Sequence, residues 1–370
     1  MPVARELAAR GAAIPSLDGI RAIAVSLVFA AHSGLERYVP GGLGVTIFFV
    51  LSGYLITTLM RIEHAGSGAV SFKAFYLRRV LRLMPPLVVV VALASALVKL
   101  GVADGEFTPT GLASVLFYFG NYFVIAHDFN GVPAGIGVTW SLAVEEHYYL
   151  FYPPLALLLL RLGRVHISAV VLATLCASVL AWRCWLAAHG APESWLTMAT
   201  DTRIDAILAG CILALVANPW IDPVVAPNPL RDRAIFAGCV ALLLTTLAIR
   251  DEYFRNTLRY TLQSLAIAPL IWLAVARHDR PMFRWLDAAP MVYVGKVSYT
   301  IYLCHHLILC ALQKQLPDLG WLGIAALGAL ATFAIAEPMR RLVEEPCARL
   351  RKRLHRREVS ARGLVAEPVS

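Results

Sequence analysis

Two ionisable residues in the first apolar segment, LDGIRAIAVSLVFAAHSG, are the first candidates for chemistry. Arg21 and His32 are eleven residues apart, which on an α-helix is about three turns, or ~16 Å of rise, with both side chains on nearly the same face. Together with Asp18 they predict a polar seam from one membrane surface to beyond the middle of the bilayer, where ionisable groups mark functional sites. The alternative is that Arg21 extends to the lipid headgroups and His32 only ends the helix.

A second cluster, Glu145, Glu146 and His147, lies in the segment TWSLAVEEHYYLFYPP. Neighbouring side chains on a helix are ~100° apart, so the three cannot all face lipid and at least one points into a helix bundle. A carboxylate beside an imidazole is the minimum set for general acid–base catalysis. The alternative is an interfacial patch, in which the tyrosines that follow, Tyr149 among them, form a headgroup belt.

Three arginines, Arg78, Arg79 and Arg82, precede another apolar segment in FYLRRVLRLMPP. Arginines at this position act first of all as determinants of membrane topology. Clustered guanidinium groups also bind phosphates in a bidentate manner. The cluster therefore becomes a candidate cofactor site if the reaction uses a phosphorylated cofactor.

Further charged or polar residues occur inside later apolar segments. Asp201, Arg203 and Asp205 begin one of them, with the two aspartates four residues apart on one helix face. We favour a structural ion pair with Arg203 or another arginine over a metal site. His305 and His306 lie within a second such segment, SYTIYLCHHLIL.

The elements that position these residues must be membrane helices. The chain has 370 residues, of which 59% are hydrophobic and 15% charged, and its mean hydropathy is +0.67, which is far more apolar than a usual soluble domain. We predict an all-α, polytopic bundle over residues 1–345 and a basic cytoplasmic tail over 346–370. The net charge of +9 collects at segment ends and in the tail, which indicates topology rather than nucleic-acid binding. The seven cysteines have no zinc-like spacing, and we expect buried thiols and no metal.

Ten apolar runs have spanning length, and one further apolar stretch covers residues 111–126. If 111–126 does not cross, the basic connections all lie on the cytoplasmic side, as the positive-inside rule requires. We therefore predict ten spans, both termini in the cytoplasm, no removable signal peptide, and a re-entrant or peripheral segment at 111–126 that lines a cavity. The predicted spans are residues 19–38, 42–61, 84–100, 141–160, 166–188, 202–217, 234–249, 258–276, 291–313 and 320–339.

Taken in order, these segments resemble membrane-bound acyltransferase family 3, the bacterial O-acyltransferases that modify envelope polysaccharides. The resemblance covers residues 16–349, and five motifs carry it together. Two positions depart from the family pattern: His147 stands where the family commonly has Gln, and Cys304 where an aromatic residue often precedes His305. The motifs are Arg21 with His32, FFVLSGYLIT at 48–57, Arg79 with Arg82, WSLAVEEHYYLFYP at 140–153, and VEEP at 343–346.

The resemblance implies that acyl-CoA, expected to be acetyl-CoA, binds from the cytoplasm and acylates a hydroxyl of an envelope polysaccharide or its lipid-linked precursor outside the bacterial inner membrane. His32 is then the predicted base or transient acyl carrier, oriented by Glu145, and Arg21 faces the thioester or the pantetheine channel. Arg79 and Arg82, with Arg78, are the predicted ligands of the CoA phosphates. The predicted substrate-binding residues are Asp18, Glu146, Tyr149, Asp201, Arg203 and His305.

Some family members carry a soluble esterase-like domain after the last span, whereas this chain ends about twenty residues after VEEP. We therefore expect the transfer to be completed within the membrane domain or by a separate partner. Two rival functions stay open. One is the same chemistry on a small-molecule acceptor, such as a macrolide or a lipochitooligosaccharide. The other is a membrane carrier or flippase, which also has polar residues inside its spans, although the chain shows no matching halves.

Overall fold

The computed structural model describes residues 13–361, with side chains described as far as residue 354, and this range contains helices and no strand. The predicted all-α class is therefore confirmed. Residues 1–12 and 362–370 lie outside the described residues. The predictions for both termini, for a signal peptide and for the end of the basic tail fall there.

Fifteen α-helices make up the described part of the chain, joined by short turns and loops. They are α1 (Leu17–Ala30), α2 (Gly41–Ser67), α3 (Phe72–Lys99), α4 (Pro109–Leu116), α5 (Gly120–His127), α6 (Trp140–Leu162), α7 (Val165–Ala188), α8 (Glu193–Met198), α9 (Thr200–Val216), α10 (Pro229–Ala248), α11 (Glu252–Asn256), α12 (Leu258–Ala276), α13 (Ala289–Gln315), α14 (Trp321–Met339) and α15 (Glu345–Ala361).

Each of the ten predicted spans coincides with a helix, but α3 begins at Phe72 rather than at residue 84. The sequence interpretation started this span where the apolar run begins, after Arg82, and Pro85 and Pro86 follow within that run. Both prolines lie inside α3, as membrane helices allow when neighbouring groups satisfy the freed backbone carbonyls. By length and composition, five helical stretches are able to cross a membrane, and the count of ten stays a prediction. The five are Gly41–Ser67, Phe72–Lys99, Val165–Ala188, Leu258–Ala276 and Trp321–Leu354.

The segment predicted to be re-entrant forms two short helices, α4 and α5, of eight residues each. Each is about 12 Å long, well short of the ~30 Å hydrocarbon core. The two ends of the segment meet, since the Thr108 amide donates to the Gly131 carbonyl oxygen at 3.0 Å. A segment whose ends are hydrogen-bonded enters and leaves on one side, which supports the predicted topology. It does not line either of the two cavities described below, so the expectation that it lines a cavity is not met there.

Glycines bring the central helices into close contact. A Cβ atom added at Gly53 of α2 would lie 1.9 Å from the Ile207 carbonyl oxygen of α9, and one at Gly210 of α9 would lie 2.0 Å from the Val50 carbonyl oxygen of α2. Small residues at helix crossings are the usual device by which membrane helices approach closely. The same device acts between α13 and α1, where a Cβ at Gly295 would lie 1.9 Å from the Asp18 carbonyl oxygen.

A π-helical turn, Ala31–Leu35, follows α1 and contains His32. Ser33 and Gly34 leave the helical conformation within this turn, and Gly34 has a φ of 97°, which glycine adopts without a steric penalty. Isolated π turns in membrane and soluble helices are frequent at functional sites. Here the turn ends α1 next to α13, so that His32 lies beside the histidines of that helix.

Candidate active site

Three histidines meet where α1 ends against α13. His32 Nδ1 lies 2.9 Å from His305 Nε2, and the imidazole rings of His32 and His306 stack with centroids 4.4 Å apart. His305 is completely buried. The contacts at Gly295 and at His305 lie towards opposite ends of α1, so α1 and α13 pack side by side and run in the same direction.

The hydrogen bonds of His305 define the tautomers of the pair. His305 Nδ1 lies 2.8 Å from the Tyr302 carbonyl oxygen and 3.0 Å from the Ile301 carbonyl oxygen, and a carbonyl only accepts, so Nδ1 carries the proton. In the neutral form of both rings, His305 Nε2 then accepts and His32 Nδ1 donates. His32 Nε2 is left with a free lone pair. That is the nitrogen a general base or nucleophile uses.

His32 lines a cavity of about 400 Å³, which we call the histidine cavity. Its volume falls within the ~300–1,000 Å³ range of small-molecule sites. The start of α2 and Trp140 at the start of α6 form one wall, and Tyr260 and Gln263 of α12 form another. The cavity therefore lies near the end of the bundle at which α1 ends and α2 and α6 begin.

A second cavity, of about 80 Å³, lies deeper along the same helices, and we call it the glutamate cavity. Glu145 lines it together with Arg21, Arg79 and Arg82. Arg79 is only 9% exposed, and its guanidinium group lies 5.5 Å from the centre of the Tyr149 ring. The helices thus gather one carboxylate and three guanidinium groups from α6, α1 and α3.

The two cavities share a wall. Val45 and Tyr302 line both of them, and the Tyr302 hydroxyl donates to the Val138 carbonyl oxygen at 2.8 Å and contacts Ser141 Oγ at 2.6 Å. Arg21 and His32, predicted to form one seam on α1, line the two cavities separately. The seam is thus present in the structure and is divided by this wall.

Glu145 does not pair with His32 as the sequence interpretation expected. Its carboxylate accepts hydrogen bonds from Ser52 Oγ at 2.9 Å and from the Tyr149 hydroxyl at 3.2 Å. The reason is the rise of α6: Glu145 lies five residues after Trp140, about 7.5 Å further along the helix, which places it in the deeper cavity. His305 takes the position next to His32 instead.

Arg78 and Asp18 also have partners that the sequence did not reveal. Arg78 forms an ion pair with Glu63 at 3.2 Å and lines a separate cavity with Lys73 and residues of α15, because it points away from Arg79 around α3. The structure therefore places Arg78 apart from Arg79 and Arg82, and its role at a CoA phosphate stays a prediction. Asp18 forms an ion pair with Arg21 at 2.8 Å.

Several predicted substrate ligands contact other side chains of the bundle. Asp201 accepts hydrogen bonds from Trp182, Trp195 and Tyr122. Arg203 is 2% exposed, and its guanidinium group lies 3.8 Å from the centre of the Tyr260 ring.

The pairing expected for Asp205 is made by Arg183, at 3.1 Å between two buried side chains. Glu146 lines neither the histidine nor the glutamate cavity, and its buried Oε1 has no hydrogen-bond partner among the described residues. The fully buried His305 is a partner of His32 rather than a residue exposed to substrate.

Sequence reasoning missed Ser52, Tyr302 and the pairing of His32 with His305. Ser52 lies inside the FFVLSGYLIT motif, so the motif was a signal for it, but a serine in an apolar helix carries no charge to draw attention. Tyr302 lies three residues before His305, one turn away on the same face. Only the packing of α13 against α1 and α6 shows that this face meets both cavities.

Comparison with known proteins gives the family. The sequence model of a family described as an acyltransferase domain matches residues 14–337. The chain belongs to this acyltransferase family. The match includes both cavities and the histidines of α13, so the residues gathered here lie within the acyltransferase domain itself.

Curated relatives of this acyltransferase cover most of its length. The peptidoglycan O-acetyltransferase OatA of Listeria monocytogenes is 32% identical over 357 residues, which is 90% of this chain and 55% of the relative. The candidate peptidoglycan O-acetyltransferase YrhL of Bacillus subtilis is 30% identical over 357 residues, which is 90% of this chain and 54% of the relative. The chain thus spans about half the length of the curated relatives it matches. No solved structure matches it.

Proposed function

We propose that this membrane acyltransferase moves an acyl group, expected to be acetyl, from acyl-CoA to a hydroxyl of an envelope polysaccharide or its lipid-linked precursor. The observation that carries the proposal is the His32–His305 contact of 2.9 Å in the wall of a 400 Å³ cavity next to an arginine-lined cavity. Two relatives carry the name peptidoglycan O-acetyltransferase, which supports a carbohydrate acceptor.

The donor binds at the glutamate cavity. Arg79 and Arg82 have no carboxylate partner in the described chain, so both are free to bind the phosphates of CoA through charge-assisted hydrogen bonds. Glu145 balances part of this positive charge and holds the cavity wall through Ser52 and Tyr149. Arg21 lines the same cavity and is assigned to the thioester carbonyl.

The volume of the glutamate cavity limits what it can hold. At about 80 Å³ it is smaller than the usual ligand site of ~300 Å³ or more, so the pantetheine arm enters only if the wall widens. The residues between the cavities, Val45 and Tyr302, are where that widening must occur. Binding of acyl-CoA and opening towards His32 are thus one event.

His32 performs the proton transfer. Nε2 takes the proton of the acceptor hydroxyl while its oxygen attacks the thioester carbon, and the tetrahedral intermediate collapses with release of the CoA thiolate, which receives that proton. In the carrier version, Nε2 first attacks the thioester carbon and the CoA thiolate leaves, which gives an acyl-imidazolium because Nδ1 keeps its proton. The acceptor hydroxyl then attacks the acyl carbon, Nε2 leaves as neutral imidazole, and the hydroxyl proton passes to the CoA thiolate. His305 keeps the Nδ1 proton of His32 in place in both versions.

We propose further that the protein lies in the bacterial inner membrane with ten spans and both termini in the cytoplasm. The donor cavity then faces the cytoplasmic half, since Arg79 and Arg82 lie near the start of α3, and the histidine cavity faces the outer half. The hydrogen bond between the two ends of the α4–α5 segment supports this arrangement, because it keeps the basic connections on one side.

Mass spectrometry of surface polysaccharide from cells with and without the gene tests the proposal. Loss of acetyl groups in the deletion strain, restored by the wild-type gene and not by His32→Gln, is the expected result. An unchanged acetyl content in all strains would overturn the polysaccharide acceptor.

A further inference from the structure

Four arginines line the histidine cavity away from His32. They are Arg37, Arg250, Arg255 and Arg259, and one carboxylate, Glu36, accompanies them in the cavity wall. Arg259 is half-buried, and the other three arginines are exposed. The mouth of this cavity is therefore strongly positive, which raises the local concentration of anions.

These four arginines are not used to hold the fold together. None of them forms an ion pair with a carboxylate within the part of the chain that the structure describes. Other arginines do, as Arg61 does with Asp222 and Arg277 with Asp232, both at 2.7 Å. Positive charge that has no structural partner is available to a ligand.

Tyr260 fixes one of the four in place. The Tyr260 hydroxyl accepts a hydrogen bond from Arg259 Nη2 at 3.2 Å, and the Arg259 guanidinium group lies 5.1 Å from the centre of the Tyr260 ring. The two other arginines near this ring, Arg183 and Arg203, are both buried. An arginine that is already ordered loses less conformational freedom when it binds a carboxylate or phosphate.

Gln263 supplies a second, independent sign of a ligand. Its side chain is 2% exposed and lines the histidine cavity, and its Oε1 is buried without a hydrogen-bond partner among the described residues. Its Nε2 donates to Thr246 Oγ1 at 3.3 Å, which leaves Oε1 as the free end of the amide. A buried carbonyl oxygen without a donor is costly, and a hydroxyl or acetamido N–H of a sugar would satisfy it.

Membrane topology does not account for the arginines. In the proposed orientation they lie on the outer side, where the positive-inside rule predicts few arginines in short connections. Their placement around one cavity then needs another reason, and ligand binding provides it.

We infer that the acceptor glycan carries an anionic group, a carboxylate or a phosphate, which binds Arg259 and its neighbouring arginines while Gln263 accepts a hydrogen bond from the same sugar. This inference rests on the proposed acyltransferase function and adds the charge of the acceptor to it. The acceptor hydroxyl is thereby held near His32, since all of these residues line one cavity.

Four acceptor probes test the inference with the full-length protein in nanodiscs and labelled acetyl-CoA. They are peptide-free peptidoglycan glycan strands, the same strands with their carboxyl groups reduced, a polyprenyl pyrophosphate-linked disaccharide with its carboxyl group likewise reduced, and a neutral chitooligosaccharide. Wild-type protein should prefer an anionic probe, with a KM roughly tenfold below that of the neutral probe, and added salt should remove the preference. Preference for the unreduced strands identifies a carboxylate, and preference for the lipid-linked probe identifies a phosphate.

Arg259→Gln and Arg255→Gln should raise the KM for the anionic probe roughly five- to tenfold and leave the KM for the neutral probe unchanged. Lys99→Gln is the matched control, because Lys99 is exposed at the end of α3 and does not line the cavity. Equal KM values for anionic and neutral probes, or equal effects of Arg259→Gln and Lys99→Gln, would overturn the inference while transfer itself continued.

A binding measurement separates this failure from failure of the proposed function. His32→Gln protein should bind the fluorescently labelled anionic probe more tightly than its neutral form even without turnover. Selective binding without any transfer by the wild-type protein would sustain the anion site and overturn the acyltransferase reaction. Equal binding of both probes would overturn the anion site.

Discussion

The two cavities differ in how they use charge. In the glutamate cavity a carboxylate and three arginines are gathered from three helices into about 80 Å³, and Arg79 is 9% exposed. In the histidine cavity the volume is about 400 Å³, four arginines lie at the mouth, and His32 lies in the wall. A compact cofactor group needs strong, preordered charge, whereas a large acceptor needs space beside one reactive atom.

The separation also explains why Glu145 and His32 have different partners. Val45 and Tyr302 stand between them, and each group has its own hydrogen-bond partner: Ser52 for Glu145 and the buried His305 for His32. In the proposed function, the CoA phosphates and the acceptor are thus held by different residues. Mutations on the two sides should affect different kinetic constants.

The largest effect is expected from His32→Gln. Transfer should fall by roughly 10²- to 10⁴-fold, the range lost with a general base, while the affinity for acyl-CoA stays within about twofold because the phosphates bind in the other cavity. Acetyl transfer and acetyl-CoA binding are measured on the same purified protein.

An experiment on the wild-type protein separates the general-base version from the acyl-carrier version. If His32 carries the acyl group, mass spectrometry of wild-type protein incubated with acetyl-CoA and no acceptor should find the acetyl group on His32, and none if His32 is only a base. Substantial transfer by His32→Ala would rule out both.

Arg79→Ala combined with Arg82→Ala tests the opposite cavity. Loss of two charge-assisted phosphate contacts costs at most roughly 3–6 kcal/mol, so acyl-CoA affinity should drop by up to about 10²- to 10⁴-fold. Arg78→Ala is the matched control, since Arg78 pairs with Glu63 and lines a different cavity. Equal losses in both proteins, or unchanged affinity in the double variant, would remove the phosphate site from α3.

A smaller effect is expected from His305→Phe. Without the His305 Nε2 acceptor, His32 is free to adopt the wrong tautomer, and kcat should fall roughly 10- to 100-fold with little change in the KM of the acceptor. His306→Phe is the control because His306 stacks on His32 without a hydrogen bond to it. Thermal stability of each variant is measured alongside kcat. Equal kcat values for the two variants would show that stacking, not the hydrogen bond, matters.

The smallest effect on activity is expected from tags that report which side of the membrane the histidine cavity faces. A tag after Gly105 and one after Asn130 should label on the same, outer side, because the Thr108 amide and the Gly131 carbonyl group are hydrogen-bonded. Impermeant labelling of intact cells measures this. Opposite labelling would mean that residues 111–126 cross the membrane and that the two cavities do not face opposite sides as proposed.

Much of the fold could be predicted because it depends on local properties of the chain. The lengths of the apolar runs predicted a helix at each of ten positions, but not the basic helix α15, and the all-helical class followed from the need to satisfy backbone hydrogen bonds in lipid. The start of α3 was missed because the apolar run begins only after Arg82, whereas the helix itself begins at Phe72.

The candidate site was only partly predictable, and the reason is physical. Charge in an apolar segment is visible in the sequence, so Arg21, His32, Arg79 and Glu145 were found from their own types and positions. Pairing depends on which helix faces meet, and that is a long-range property: His32 and His305 are 273 residues apart in the chain. Side chains at different depths of a bundle cannot touch, so only the packed structure assigns Glu145 to one cavity and His32 to the other. It also places the four arginines of the cavity mouth in the same cavity as His32.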